Sequence, residues 1–133
     1  MKRRLEEMVR KVCLDSDVII ALLEKGGEAK NFLKSLNAYF YTTSINIFEV
    51  WYGKKKREPV QELFGLIEIL GLSESESVRA ANIMSGLKKK GELLEHRDVF
   101  IAAICIENNV EFFSYNKKHF ERLEKFGLKL VSV

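Results

Sequence analysis

Val12-Cys13-Leu14-Asp15-Ser16-Asp17-Val18-Ile19-Ile20-Ala21-Leu22-Leu23 is the stretch whose reading decides the fold. Three apolar residues, read as a buried strand, stop at a carboxylate, and a stretch of helical length starts straight after it. Strand, acid, helix is the unit of an open α/β sheet, and such sheets place their ligands at the carboxyl ends of their strands. Asp15 is therefore the first candidate functional residue. Two more acids interrupt apolar surroundings: Glu49 in Ser44-Ile45-Asn46-Ile47-Phe48-Glu49-Val50-Trp51-Tyr52-Gly53, and Asp98 at the head of Asp98-Val99-Phe100-Ile101-Ala102-Ala103-Ile104. An unpaired carboxylate is very costly to bury, so each needs a partner. A divalent cation is one partner that could serve all three.

Outward from that stretch the pattern keeps alternating. Ala29, Phe32, Leu33 and Leu36 recur at helical spacing, and Tyr39 to Thr43 is aromatic and β-branched, which predicts a strand. Ser44 is placed to cap a helix carrying Ile45, Phe48, Glu49 and Tyr52. Pro59 suits the start of a helix containing Val60, Leu63, Phe64 and Ile67, closed by Gly71. Ser73 and Glu76 make a capping-box signature ahead of Val78, Ala81, Met84 and Leu87, and Gly91 stops that helix. Asp98 begins a helix running to Asn109. A strand over 110–114, a helix over 117–125 and a final strand over 128–133 complete the reading. Strands alternating with helices predict a three-layer α/β fold with a parallel sheet. The segment from Pro59 to Gly91 reads as a helical hairpin inserted between the second and third strands.

At 133 residues and 47% hydrophobic, the chain suits a single domain over 1–133 with a real core. Its net charge of +3 resides in a basic N-terminal extension, residues 1–11, while the remainder balances. Lys54-Lys55-Lys56-Arg57, Lys88-Lys89-Lys90 and Lys117-Lys118 are local basic clusters that suit a phosphate backbone, or else a solvated helix surface. No apolar run reaches the roughly 18 to 20 residues of a membrane span, and nothing apolar backs the charged N-terminus as a secretory signal would require. Cys13 and Cys105 lie inside apolar segments without metal-site spacing, as small core residues in a reducing compartment. A cytoplasmic protein is expected.

Four polar stations now fall in order: Asp15 after the first strand, Glu49 in the helix after the second, Asp98 in the helix before the third, Asn116 after the third. In this architecture they converge on one cleft. Oxygen donors without His or Cys partners select a hard cation, so magnesium or manganese (Mg2+ or Mn2+) is expected and zinc is not. An acidic cation cluster beside basic clusters suggests phosphodiester hydrolysis. Two of the acids also have a structural reading. Asp15 and Asp98 could cap helices, whereas Glu49, in mid-helix between Phe48 and Val50, gains nothing from capping.

Four segments carry a resemblance that covers nearly the whole chain: Leu14-Asp15-Ser16-Asp17-Val18-Ile19-Ile20, Ser44 to Val50, Asp98 to Ala103, and Ser114-Tyr115-Asn116-Lys117-Lys118-His119-Phe120. Together and in this order they resemble a PIN domain of the VapC type, the toxins of prokaryotic toxin–antitoxin pairs. The resemblance implies a metal-dependent endoribonuclease, usually a homodimer, neutralised by a small VapB-type antitoxin. It maps catalytic and metal-binding acids onto Asp15, Glu49 and Asp98, with Asn116 a further candidate ligand. Ser16, Lys54, Lys55 and Lys56 are candidate substrate contacts for RNA. The fourth station departs from the pattern, because many relatives carry an acid at the place of Asn116 or three residues later, where this chain has His119. Two other readings stay open: a PIN-fold RNA-binding module without catalysis, and a haloacid dehalogenase-type phosphatase, since Asp15-Ser16-Asp17 follows a strand.

Overall fold

Strand β1 (Arg10–Leu14) takes the centre of a sheet because Val12, Cys13 and Leu14 make it apolar on both faces over its last three residues. The structure, a computed structural model, describes residues 9–24, 27–53 and 58–132. In chain order β1 is followed by α1 (Ser16–Glu24), α2 (Gly27–Leu36), β2 (Ala38–Thr43), α3 (Ser44–Gly53), α4 (Glu58–Phe64) and β3 (Glu68–Leu70). Then come α5 (Glu74–Lys89), α6 (His96–Glu107), β4 (Glu111–Phe113), α7 (Lys117–Phe120) and a 3₁₀ turn over Glu121–Phe126. The strands form one sheet in the order β3-β2-β1-β4, and every pairing is parallel. Val12 lies opposite Phe40 on one side and Glu111 on the other. The chain steps from β1 out to β3 and returns to the far side of β1 with β4. That reversal opens a crevice beyond the carboxyl ends of β1 and β4.

Alternation along the strands makes the three layers. Cys13 and Phe112 face one core, with Ala80, Ile83 and Leu87 of α5 and Val99, Ala102 and Ala103 of α6. Val12, Leu14 and Phe113 face the other, with Val18 and Ile19 of α1, Leu33 of α2 and Val50 of α3. Neighbouring residues of a strand point to opposite faces, so two adjacent phenylalanines serve two separate cores. The parallel α/β sheet thus matches the sequence expectation, and both cysteines are free and buried.

The segment from Pro59 to Gly91 departs from the expected helical hairpin. Helix α4 ends at Phe64, and Glu68–Leu70 pairs with β2 as an edge strand, Thr43 opposite Leu70. Ile67 continues the helical spacing of Val60 and Leu63, which masks a strand of three residues. The expected helix over 117–125 is one short α-helical turn followed by the 3₁₀ segment. The expected last strand shrinks to one parallel bridge between Phe112 and Leu130. Strand β1 starts at Arg10, so two residues assigned to the basic extension belong to the sheet. Arg10 makes a two-pronged ion pair with Glu111 of β4, at 2.8 Å for each bond.

Helix ends follow the residues that permit them. Gly91 ends α5 with φ of 69°, the N–H of Glu92 reaching the Leu87 carbonyl at 2.9 Å. Asn109 does the same for α6 with φ of 53°, the N–H of Val110 reaching Cys105 at 3.0 Å. Ser73 is the N-cap of α5, but its hydroxyl bonds the Glu76 carboxylate rather than the backbone, so the capping box forms side chain to side chain. No described helix is long and apolar enough to cross a membrane.

Candidate active site

Asp15 occupies the first position past β1, and the chain around it fixes the carboxylate in place. Its N–H donates to the Phe113 carbonyl of β4 at 2.9 Å, and its own carbonyl accepts from Ile19 in α1 at 3.1 Å. The side chain does more than cap α1. Oδ1 accepts from the Ser16 N–H at 2.8 Å, Asn46 Nδ2 at 3.0 Å and Arg97 Nη2 at 2.8 Å, while Oδ2 accepts from Ser114 Oγ at 2.8 Å. Three helices and the residue just past β4 thus converge on one group that is only 4% exposed.

Glu49 reaches the same place from α3. The sequence pointed to Ser44 as the cap of that helix, but Thr43 takes the role: its Oγ1 accepts the Asn46 N–H at 3.2 Å and donates to Asn46 Oδ1 at 2.6 Å. The cap orients Asn46, whose amide then donates to Asp15 and to Ser16 Oγ at 2.9 Å. Ser16 in turn donates to Glu49 Oε1 at 2.5 Å. Asn46 precedes Glu49 by three residues, so both project from one face of α3.

Asp98 is buried in the first turn of α6, two residues inside the observed helix start rather than at its head. Oδ1 accepts from Arg97 Nη1 at 2.7 Å, and Oδ2 lies 2.6 Å from His119 Nε2, an ion-pair distance without hydrogen-bond geometry. Arg97 completes the arrangement. Its Nε and Nη2 fork onto the two oxygens of Glu49 at 2.5 and 2.8 Å, while Nη2 also reaches Asp15 and Nη1 reaches Asp98. One guanidinium therefore binds all three candidate acids.

The electrostatics follow from that geometry. Burial alone would raise the Glu49 carboxyl, but the bonds from Arg97 and Ser16 outweigh it and hold the group below its ordinary value. Burial would likewise lower the Arg97 guanidinium, yet Glu49, Asp15 and Asp98 raise it further still. Asp17 goes the other way. Burial and then the charge of Asp15 raise its carboxyl, although the N–H groups of Val18 and Tyr115 and the Ser114 hydroxyl oppose the shift. Asp17 Oδ1 is buried without a hydrogen bond, while Oδ2 accepts from Tyr115 N–H at 3.2 Å.

Sequence reasoning thus found three acids that the fold brings together, with Ser16 beside them. Asn116 is exposed, with its N–H on Ser114 Oγ at 3.0 Å. Lys54, Lys55 and Lys56 lie outside the described residues. Arg97, Asn46, Ser114 and the His119 contact were missed. Arg97 left no signal of its own, because it stood just ahead of a helix expected to start at Asp98, where a cation reads as solvated surface.

The donor set is one a hard cation would accept: carboxylate oxygens, with Asp98 Oδ2 buried and lacking a hydrogen bond. As they stand, however, no three His, Cys, Asp or Glu side chains among the described residues are arranged to hold a metal ion. Asp15, Glu49 and Asp98 are instead spread around the guanidinium.

Comparison with known proteins shows the family. Residues 12–126 match the PIN domain family. The chain is 33% identical over 137 aligned residues to Ribonuclease VapC1 of Methanocaldococcus jannaschii, an alignment covering 98% of this chain and 93% of that one. Its fold is similar to that of VapBC2 from Rickettsia felis bound to a promoter DNA fragment, with TM-score 0.80 and 24% identity over 91% of this chain and 97% of that one. It is also similar to DNA-bound VapBC from Salmonella typhimurium, with TM-score 0.78 and 22% identity over 92% and 98% of the two chains.

Proposed function

Because the chain belongs to the PIN-domain family, in its VapC branch, we propose that it is a metal-dependent endoribonuclease acting in the cytoplasm as the toxin of a toxin–antitoxin pair. One observation carries the reading: Asp15, Glu49 and Asp98 come from three separate elements and meet at the carboxyl end of the sheet around a single counter-charge. Three buried or half-buried acids gathered without a structural need for them are the mark of a working site. Magnesium or manganese held there would activate a water for in-line attack on a phosphodiester and offset the phosphate charge.

The chain's own residues then have distinct tasks. Asp15, fixed by bonds from Ser16, Asn46 and Ser114, is the anchoring ligand. Asp98 faces it from α6, and Glu49, the most exposed of the three side chains at 31%, is the acid nearest solvent and substrate. Ser16 positions Glu49 through its hydroxyl. Asn116, exposed beside the site, is a further oxygen donor for the ion or its water, and Lys54, Lys55 and Lys56 follow α3 as RNA contacts.

The partner reading rests on the kinship with VapC1 and on the VapBC assemblies that share the fold: a VapB-type antitoxin and a second copy of this chain. Phe48 and Tyr52 form an exposed stacked pair on α3, ring centroids 5.8 Å apart, which suits such contacts. The non-catalytic RNA-binding module remains a second reading, since a guanidinium fills the acid cluster and the fourth station has no acid. Cleavage of RNA by the purified chain, abolished by a chelator and restored by manganese, separates the two. RNA binding without cleavage at any metal concentration would favour the module.

A further inference from the structure

Arg97 does what a cation would do at this site. Four of its five N–H groups are used, all of them on Asp15, Glu49 and Asp98. Among the described residues no three His, Cys, Asp or Glu side chains stand ready arranged for an ion. Its place owes nothing to α6, whose amino end disfavours positive charge. Nor is it sealed in: the side chain is 28% exposed, and its long stem has several staggered rotamers that do not involve the helix backbone.

We infer that Arg97 is a built-in occupant of the cation site, and that a divalent ion enters only as this guanidinium withdraws. The inference rests on reading the three acids as cation ligands. A planar charge of +1 delocalised over three nitrogens satisfies three acids in directions fixed by its fork. A divalent ion needs their oxygens turned inward onto one point about 2.1 Å away. The two arrangements exclude each other, so the net free energy of the guanidinium's contacts over its hydration is subtracted from the metal affinity. The metal-free protein gains a folded, compensated acid cluster, and its metal affinity is correspondingly weak. Resting activity is held down by a residue of the same chain, before any partner protein acts.

The test is manganese binding without RNA, read from the paramagnetic resonance of the free ion, for the unaltered chain, Arg97→Gln and Arg97→Lys. Arg97→Gln should bind manganese at least about tenfold more tightly, with Arg97→Lys between, because an ammonium keeps the charge and loses the fork. Metal-free Arg97→Gln should melt below the unaltered chain, and manganese should raise its melting temperature by more. In the unaltered protein, the Arg97 Nε–H should be protected from solvent exchange and lose that protection as magnesium is added. This last measurement needs no variant to fold. Equal or weaker manganese binding by a folded Arg97→Gln, or a protected Nε–H at magnesium saturation, overturns the inference. Failure of all three proteins to bind either ion would overturn the metal-site reading itself.

Discussion

The acid cluster and the apolar layer beneath α6 lie one or two residues apart on the same strands and are held by opposite means. Phe112 sits at full burial among side chains from α6, α7 and the C-terminal segment, including Phe120 with its ring centroid 4.7 Å away. Such packing is non-directional and shared among many neighbours. Two residues on, Ser114 belongs to the polar cluster, where three acids rely on directed bonds and chiefly on one guanidinium. Stability is spread through the first region, and the proposed function is concentrated in the second. Substitutions should therefore separate the two.

The largest effect on folding is expected where that packing is deepest. Phe112→Ala should cost about 3 to 5 kcal/mol in denaturant unfolding, through lost transfer energy and the cavity left behind. Nuclease activity per folded molecule should persist. A cost below about 1 kcal/mol would mean that the layer collapses around the gap and that the contrast with the acid cluster is weak.

Asp98→Asn should show the reverse pattern, an activity loss of about a hundredfold or more, or at least about 2.7 kcal/mol on the barrier, with little change in folding. Three carboxylates face one guanidinium, so neutralising one relieves repulsion as it removes a charge-assisted bond. The metal-free melting temperature should hold. From sequence, with no counter-charge in view, simple repulsion among the acids would be expected; Arg97 changes that balance. Full activity in folded Asp98→Asn would detach this residue from the chemistry.

What could be read from the sequence divides along the same line. Asp15, Glu49 and Asp98 were legible because a carboxylate inside an apolar run demands an explanation, whatever the fold. The parallel sheet was legible because buried strands and amphipathic helices have different periods. Strand β3 was not, since Glu68–Leu70 is three residues long and Ile67 fits the helix before it. Arg97 was not, because a surface-type residue beside a buried acid becomes meaningful only when α3 and β1 bring Glu49 and Asp15 within reach. Thr43 was passed over for Ser44 as a cap because the two hydroxyls are adjacent and helix boundaries are uncertain by a residue.

The smallest effect tests an acid outside the cluster, one that has local donors instead of a shared guanidinium. Glu76 accepts from the Ser73 hydroxyl, from Ser75 Oγ at 2.8 Å and from Asn108 Nδ2 at 3.4 Å, which links the first turn of α5 to the end of α6. The Ser73 and Ser75 hydroxyls hold its carboxyl below the ordinary value, against a smaller opposing effect of burial. A group with a lowered folded-state pKa stabilises the fold above its unfolded value of about 4.3, and that contribution is lost as pH falls through the folded value. Glu76→Gln should therefore be less stable than the unaltered chain at pH 7, by no more than about 1 kcal/mol for a bond of capping type. The gap should close as pH falls below about 4.3, because the protonated Glu76 then resembles the glutamine. Unfolding midpoints measured from pH 7 down to the acid limit of folding read this directly. A gap that stays constant across the range would assign the effect to side-chain shape and remove charge from the account of how α5 begins.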